Sequence, residues 1–190
     1  MASKLDDGVL EAGRSALRKY GYAGTTAERL AQEAGVSRVT LHRRGITRDL
    51  VIAALVERST ERYRAALWPA LTGSGNAGER LEAALNALCD AAEADLELLV
   101  ALRAQSDGVF HESGDEVLTR DVFTDPLVRM LRDGAEDGSL RAVDAMETAT
   151  ALFNMVGWTY VHLRTGHGWT ARRARKSCVD LALHGVVATT

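Results

Sequence analysis

Apolar residues recur at intervals of three and four along the whole chain, the period of helices that bury one face. Residues 5–20 place Val9, Ala12, Ala16, Leu17 and Tyr20 on one side of a helix, and Gly21 is a natural stop. Thr25-x-x-Glu28 has capping-box spacing, with the Thr25 hydroxyl accepting from the N3 amide and Glu28 reaching back. This predicts a second helix with Leu30, Ala31 and Ala34 on its apolar face, ending at Gly35. A third runs from Ser37 to about Arg44, with Gly45 suited to the left-handed position after it and Ile46 as the apolar residue that follows. Thr47 caps a fourth, which has Asp49 in its first turn and runs through Leu50, Ala53, Ala54, Leu55 and Tyr63 to Trp68-Pro69. Residues 72–78, TGSGNAG, read as a linker. Helices are expected at about 79–94 and 95–106, then a loop at 107–115. Asp125-Pro126 reads as an N-cap with Pro at N1 of another helix, and 144–165 and 170–188 as the last two. The expected fold is all-α, about nine helices in all.

Composition supports this and excludes much else. Hydrophobic residues are 46% of the 190, aromatics only 5%, and there are two prolines, which argues against an all-β fold, a disordered chain or a disulfide scaffold. No apolar run reaches the ~18 residues a membrane span needs, and the first residues lack a signal-peptide layout. Cys89 and Cys178 lie far apart and suit two small buried side chains in a reducing cytoplasm; a redox link between them has a low prior. The net charge of −3 hides an asymmetry: residues 1–50 carry nine Lys/Arg against six Asp/Glu, while the rest carries fourteen against twenty. Between 29 and 48 there are five arginines and a single acid, Glu33. A basic head on an acidic body points to a polyanion partner for the head.

The basic stretch, Thr25 to Asp49, has the layout of a helix-turn-helix: a helix, a tight turn at Ala34-Gly35-Val36-Ser37, and a short second helix. In such a unit the second helix enters the major groove while the first crosses the backbone. Thr25 and Thr26 stand at a helix N-terminus, where free amides attract phosphate. Ser37, Arg38, Thr40, His42, Arg43 and Arg44 crowd the second helix with donors. Arg48 opens the next helix, where a cation is poorly placed for the helix dipole unless an anion sits nearby.

These residues resemble the DNA-binding domain of the tetracycline-repressor (TetR) family of bacterial transcriptional regulators. The resemblance rests on Val9-Leu10-x-Ala12, Gly21-Tyr22, Thr25-Thr26, Leu30-Ala31, Ala34-Gly35-Val36-Ser37, Thr40-Leu41 and Arg48-Asp49. Gly134-x-x-x-Gly138-x-Leu140 before two long helices resembles the family's C-terminal half in outline. The resemblance implies a helix-turn-helix domain at 1–65, which includes the start of a connecting helix, and a helical ligand-binding and dimerisation domain at 66–190. By position, Thr25, Thr26, His42 and Arg48 resemble phosphate contacts. Arg38, Val39, Thr40 and Arg43 resemble groove-facing or base-edge residues, with Val39 suited to a thymine methyl. The chain departs from the family pattern at Val39, at His42 where the family usually has Tyr, and at Gly45 where it usually has an aromatic. The missing aromatic leaves a hole in the small core, which Ile46 is expected to fill.

The body is less legible. Asn154, Trp158 and His162 follow at i, i+4 beside Phe153, and these four are candidates for a ligand pocket, with Phe123 and Arg103 as weaker ones. Core and interface packing explains the same pattern at least as well. The last two helices carry more apolar surface than one core needs: Phe153, Val156, Tyr160 and Leu163 on one, and Ala174, Cys178, Val179, Ala182 and Val186 on the other. They are candidates for a dimer interface. The five histidines have no metal-ligand spacing, and no nucleophile motif or phosphate loop is present, so neither catalysis, a metal nor a cofactor is expected. The leading expectation is a dimeric regulator, most simply a repressor, released from a palindromic double-stranded operator by a small molecule. The alternative is a helical ligand- or protein-binding dimer whose head has lost specific DNA binding.

Overall fold

The computed structural model describes residues 5–103 and 122–185. Among them are nine helices and no strand: α1 Asp7–Gly24, α2 Ala27–Glu33, α3 Arg38–Arg43, α4 Arg48–Thr72, α5 Ala77–Ala94, α6 Leu96–Arg103, α7 Asp125–Asp137, α8 Ala145–Thr165 and α9 Ala171–His184. They form two compact units. The first holds the residues up to Glu61 and then resumes at Glu97; the second takes Arg62–Leu96 and the described residues after 121. The loop expected at 107–115 lies outside the described residues.

The first unit is built on the apolar faces of α1, α2, α3 and the first half of α4. Val9, Leu10 and Leu17 of α1 share a buried core with Leu30, Ala31, Leu41, Ile46, Val51 and Leu55. Leu98, Ala101 and Leu102 of α6 complete that core, although a boundary at residue 65 counts α6 with the body. Asp6 caps α1 by accepting from the Val9 amide at 2.8 Å. The expected stop at Gly21 is a kink instead: Gly21 takes φ +65°, and helix resumes to Gly24. Gly13 has a packing reason, since a Cβ there would lie 2.5 Å from Val51 Cγ1. A polar clamp ties α1 to α2. Glu33 accepts from the Ser15 hydroxyl at 2.6 Å and from Lys19 Nζ at 2.7 Å.

The second unit packs α5 against α7, α8 and α9, with α8 also against α7 and α9. Small buried residues of α5 (Ala84, Ala87, Cys89, Ala91) let its neighbours approach, and Leu85 and Leu88 with Leu127, Met130, Leu152, Val156, Tyr160, Ala174, Cys178 and Val179 close the core. Asn76 and Glu79 form a true capping box on α5. Thr124, not Asp125, is the residue before α7, so Asp125-Pro126 are its first two helical residues. At the other end Leu140 folds back over Gly134 and donates its amide to the Gly134 carbonyl at 2.9 Å. Glu93 joins α5 to α8, accepting from the Tyr160 hydroxyl at 2.7 Å and from Arg164 Nε and Nη2 at 2.7 Å. Burial pushes the Cys89 thiol up to about 12, and Cys178 is raised by the same cause, which makes both poor nucleophiles. No described helix is long and apolar enough to cross a membrane.

The clamps carry a pH signature. Arg164 holds the Glu93 carboxyl, and Lys19 with Ser15 the Glu33 carboxyl, below the ordinary range. A carboxylate lowered in the folded state stabilises it above the unfolded pKa of about 4.3, and that stability is lost as pH falls through the folded value. Lys19, raised by Glu33, has the opposite sign and contributes until pH rises past its ordinary value of about 10.4. Thermal melting followed from pH 7 downward should show a steep loss below about pH 4. Glu33→Gln should be less stable at pH 7 and lose less on acidification; an unchanged acid limb in both this variant and Glu93→Gln would contradict the assignment.

Candidate nucleic-acid interface

Two short helices and the turns that end them build the basic surface. Thr26 caps α2, its hydroxyl oxygen accepting from the Arg29 amide at 3.3 Å. Gly35 takes φ +65°, and beyond it the Val36 amide donates to Ala31 at 3.0 Å and the Gly35 amide to Gln32 at 3.2 Å. This is a Schellman closure. Ser37 then caps α3, accepting from the Thr40 amide at 3.0 Å. The closure repeats at the end of α3: Gly45 has φ +68°, Ile46 donates to Leu41 at 3.0 Å and Gly45 to His42 at 2.9 Å. The positive φ swings Ile46 inward, where it is buried with Leu41 in the head's core. Gly45 is thus the turn residue, and Ile46 supplies the missing apolar volume.

Only Leu41 of α3 is buried. Thr40 is half-buried, and Arg38, Val39, His42 and Arg43 are exposed, as is Arg44 just beyond. Val39 stands 73% exposed, an apolar side chain facing solvent in a ring of donors. Among the described residues, the His42 and Arg43 side chains make no hydrogen bond or ion pair with the protein. Arg44 lies 4.0 Å from Asp6. This is a donor-rich surface with one apolar point, suited to phosphates and a base methyl.

Three expected contacts are placed differently. Thr25 is buried, and its hydroxyl donates to the Gly21 carbonyl at 2.7 Å, so it fastens the end of α1 and does not cap α2. The capping register is one residue later, which puts Arg29 at the third helical position and frees Glu28. Glu28 instead pairs with Arg38 at 2.5 Å. Ser37 is occupied by its cap and by the Thr40 hydroxyl at 2.8 Å. Arg48 lies over the Tyr22 ring, 4.3 Å from its centroid, and donates to the Tyr22 carbonyl at 3.1 Å. With Asp49 4.0 Å away, that interaction gives the cation at the start of α4 partners within the protein, while its Nε stays without a hydrogen bond among the described residues.

In the body, Phe123 and Phe153 are brought together around Tyr63. The Tyr63 ring stacks on Phe123 at 5.3 Å and meets Phe153 edge-on at 6.2 Å. Tyr63 is 2% exposed, its hydroxyl has no partner among the described residues, and burial pushes its pKa upward. The rest of the proposed pocket does not assemble there. Asn154 and His162 face outward; Asn154 donates to its own helix at Thr150, and the His162 ring sits 5.0 Å from His167. Trp158 is half-buried, and Arg103 ends α6 in the first unit. Five interface candidates are corrected too: Val156, Tyr160, Ala174, Cys178 and Val179 are buried in the body's own core. Phe153, Leu163 and Ala182 are half-buried, and Val186 lies outside the described residues. The apolar side chains that α8 and α9 leave uncovered are Met155 and Leu181, at 43% and 49% exposure.

Comparison with known proteins covers both units. Residues 9–44 match the model of bacterial regulatory proteins of the tetR family, and residues 74–186, more than half the chain, match the tetracyclin repressor-like C-terminal domain. No curated protein matches. Among solved structures, the TetR family transcriptional regulator PfmR from Thermus thermophilus is similar with a TM-score of 0.77 at 22% identity, covering 96% of this chain and all of that one. The regulator FadR from Bacillus subtilis, solved with stearoyl-CoA, gives 0.70 at 16%, covering 95% and 98%. The fatty acid degradation regulator FadR from Bacillus halodurans gives 0.70 at 18%, covering 95% and 99%.

Two substitutions test how the surface is held. Ile46→Ala should cost the head about 2–4 kcal/mol, read as a fall in its unfolding midpoint in denaturant. Arg48→Ala should cost about 1 kcal/mol of head stability in the absence of DNA, through the lost ring and carbonyl contacts. Wild-type stability in either variant would contradict the packing described.

Proposed function

Because the chain belongs to the tetR family of bacterial regulatory proteins, whose members bind DNA and regulate transcription, we propose that it is a homodimeric repressor of a two-fold symmetric operator, released by a small molecule. The observation that carries the DNA half is the single buried residue of α3. With only Leu41 docked, the rest of the helix presents Val39, His42 and Arg43 outward. Arg38, Val39 and Arg43 are assigned to base edges, and His42, Arg44 and Thr26 to phosphates. A six-residue helix reads few base pairs, so specificity calls for two copies on half-sites about one helical turn or a multiple apart. The uncovered Met155 and Leu181 of α8 and α9 support pairing through those helices.

The effector is assigned to the body, with Tyr63, Phe123 and Phe153 as its aromatic centre. An unpartnered buried hydroxyl costs about 1–3 kcal/mol, which a ligand acceptor would offset. The stearoyl-CoA of the Bacillus subtilis FadR structure shows that this fold accommodates an acyl chain in that protein. Release requires only that the effector bind more tightly to the dimer whose heads do not fit the operator. Repression would take place in the cytoplasm, where the DNA is.

Selection of random double-stranded DNA by the purified chain at ~0.1 M salt tests the reading. A palindromic site should emerge, with a linear fall of log affinity against log salt. Arg43→Ala should either relax preference at one base pair per half-site by about 1–3 kcal/mol or flatten the slope by about 0.9 per half-site. Salt-sensitive binding with no selected sequence would overturn the proposal.

A further inference from the structure

Glu28 and Arg38 come from different helices and meet across the turn that joins them. Glu28 belongs to the first turn of α2, and Arg38 is the first residue of α3. Arg38 Nη1 lies 2.5 Å from Glu28 Oε1, and the two side chains are otherwise open to solvent, at 69% and 57% exposure. An exposed carboxylate beside a DNA-reading helix is unfavourable, because it repels the phosphates that the arginines attract. Packing does not account for it, since Glu28 is exposed; its place in the first turn of α2 suits the helix dipole, and from there the carboxylate also reaches Arg38 of the next helix.

Glu28 is itself held in place. Its carboxyl lies below the ordinary range, lowered first by the nearby N–H of its own residue and the Thr26 hydroxyl and then by the Arg38 charge. The Thr26 oxygen is fixed in turn by the Arg29 amide at 3.3 Å. Glu28 thus stands between the N-terminal turn of α2 and the Arg38 guanidinium. Glu28 engages one nitrogen of that group, Nη1. Among the described residues nothing engages the others. A free pair of guanidinium N–H groups matches guanine O6 and N7, and an arginine already restrained loses less rotamer freedom on docking.

Resting on the reading of α3 as the base-reading helix, we infer that Glu28 is a positioning residue for sequence recognition: it holds one side of the Arg38 guanidinium so that the free side meets a guanine. Glu28 need not touch DNA. It exchanges some general affinity for discrimination at one base pair of each half-site.

The test compares full-length wild type, E28Q, R38A and the double variant on the selected operator and on a set with each base pair changed, with thermal melting of each protein. R38A should abolish preference at one G·C pair, a loss of about 5- to 150-fold. E28Q should stay folded, its melting temperature lowered by no more than an exposed ion pair contributes, and lower discrimination at that same pair by about 3- to 10-fold, leaving other positions unchanged. The double variant should match R38A, because Glu28 acts only through Arg38. Full discrimination at that pair in E28Q, or a gain in affinity equal for all sequences, would overturn the inference, and so would an R38A variant with unaltered preference. A wild-type chain that selects no sequence would instead overturn the regulator reading, and this inference with it.

Discussion

A six-residue helix does not persist in water by itself, and α3 is held by two apolar side chains on either side of one glycine. Leu41 is the helix's only buried residue, and Ile46 enters the same core beyond Gly45. The two bury together, at roughly 1.5–3 kcal/mol each. The left-handed turn at Gly45 makes this possible, because it reverses the chain within one residue and satisfies the last carbonyls of the helix. Everything the head offers to a partner follows from this economy. Since the helix itself commits only Leu41 to docking, with Ile46 just beyond it, the side chains of Arg38, Val39, His42 and Arg43 are free to face outward. The same closure at Gly35 sets the angle at which α3 leaves α2, so two glycine turns position the surface.

Much of the head was legible in the sequence because its signals are local. Glycines after short apolar stretches, and Ser or Thr before them, are local signals, and Gly35, Ser37, Gly45 and Thr47 took the expected roles, while Gly21 became a kink. The departure at Gly45 loses its force for the same reason. Gly45 serves as a turn residue, and Ile46 fills the space an aromatic would fill. The reading of Thr25 failed where two adjacent threonines compete for one cap. Its spacing to Glu28 favoured Thr25, while the end of α1 claimed that hydroxyl first. The Arg48–Tyr22 stack was hidden because periodicity says nothing of cation–π pairs between distant residues.

The body was less legible because its helices are apolar on more than one side. An i, i+4 series such as Asn154, Trp158 and His162 defines a face but not its direction, and Asn154 and His162 turn outward. Residues chosen as interface because they looked superfluous to one core, such as Val156 and Cys178, prove to be that core. The small residues of α5 let neighbouring helices come close enough to absorb them. Among the large apolar side chains, Met155 and Leu181 remain at the surface of α8 and α9, and the Tyr63 hydroxyl, with Arg80 Nε and Arg175 Nε, is buried without a partner among the described residues. The exposed Met155 and Leu181 and the Tyr63 hydroxyl are the features of the body that a partner copy and an effector would complete.

The central claim is that α3, presented by Leu41 and Ile46, enters the major groove as one of a symmetric pair. Hydroxyl-radical footprinting of the full-length chain on its selected operator measures this most directly. The account predicts two short protected patches of equal depth, related by the operator's dyad and lying on one face of the duplex, with both lost in Ile46→Ala under conditions that unfold its head. A single unsymmetrical patch, or protection spread evenly along the DNA, would contradict it.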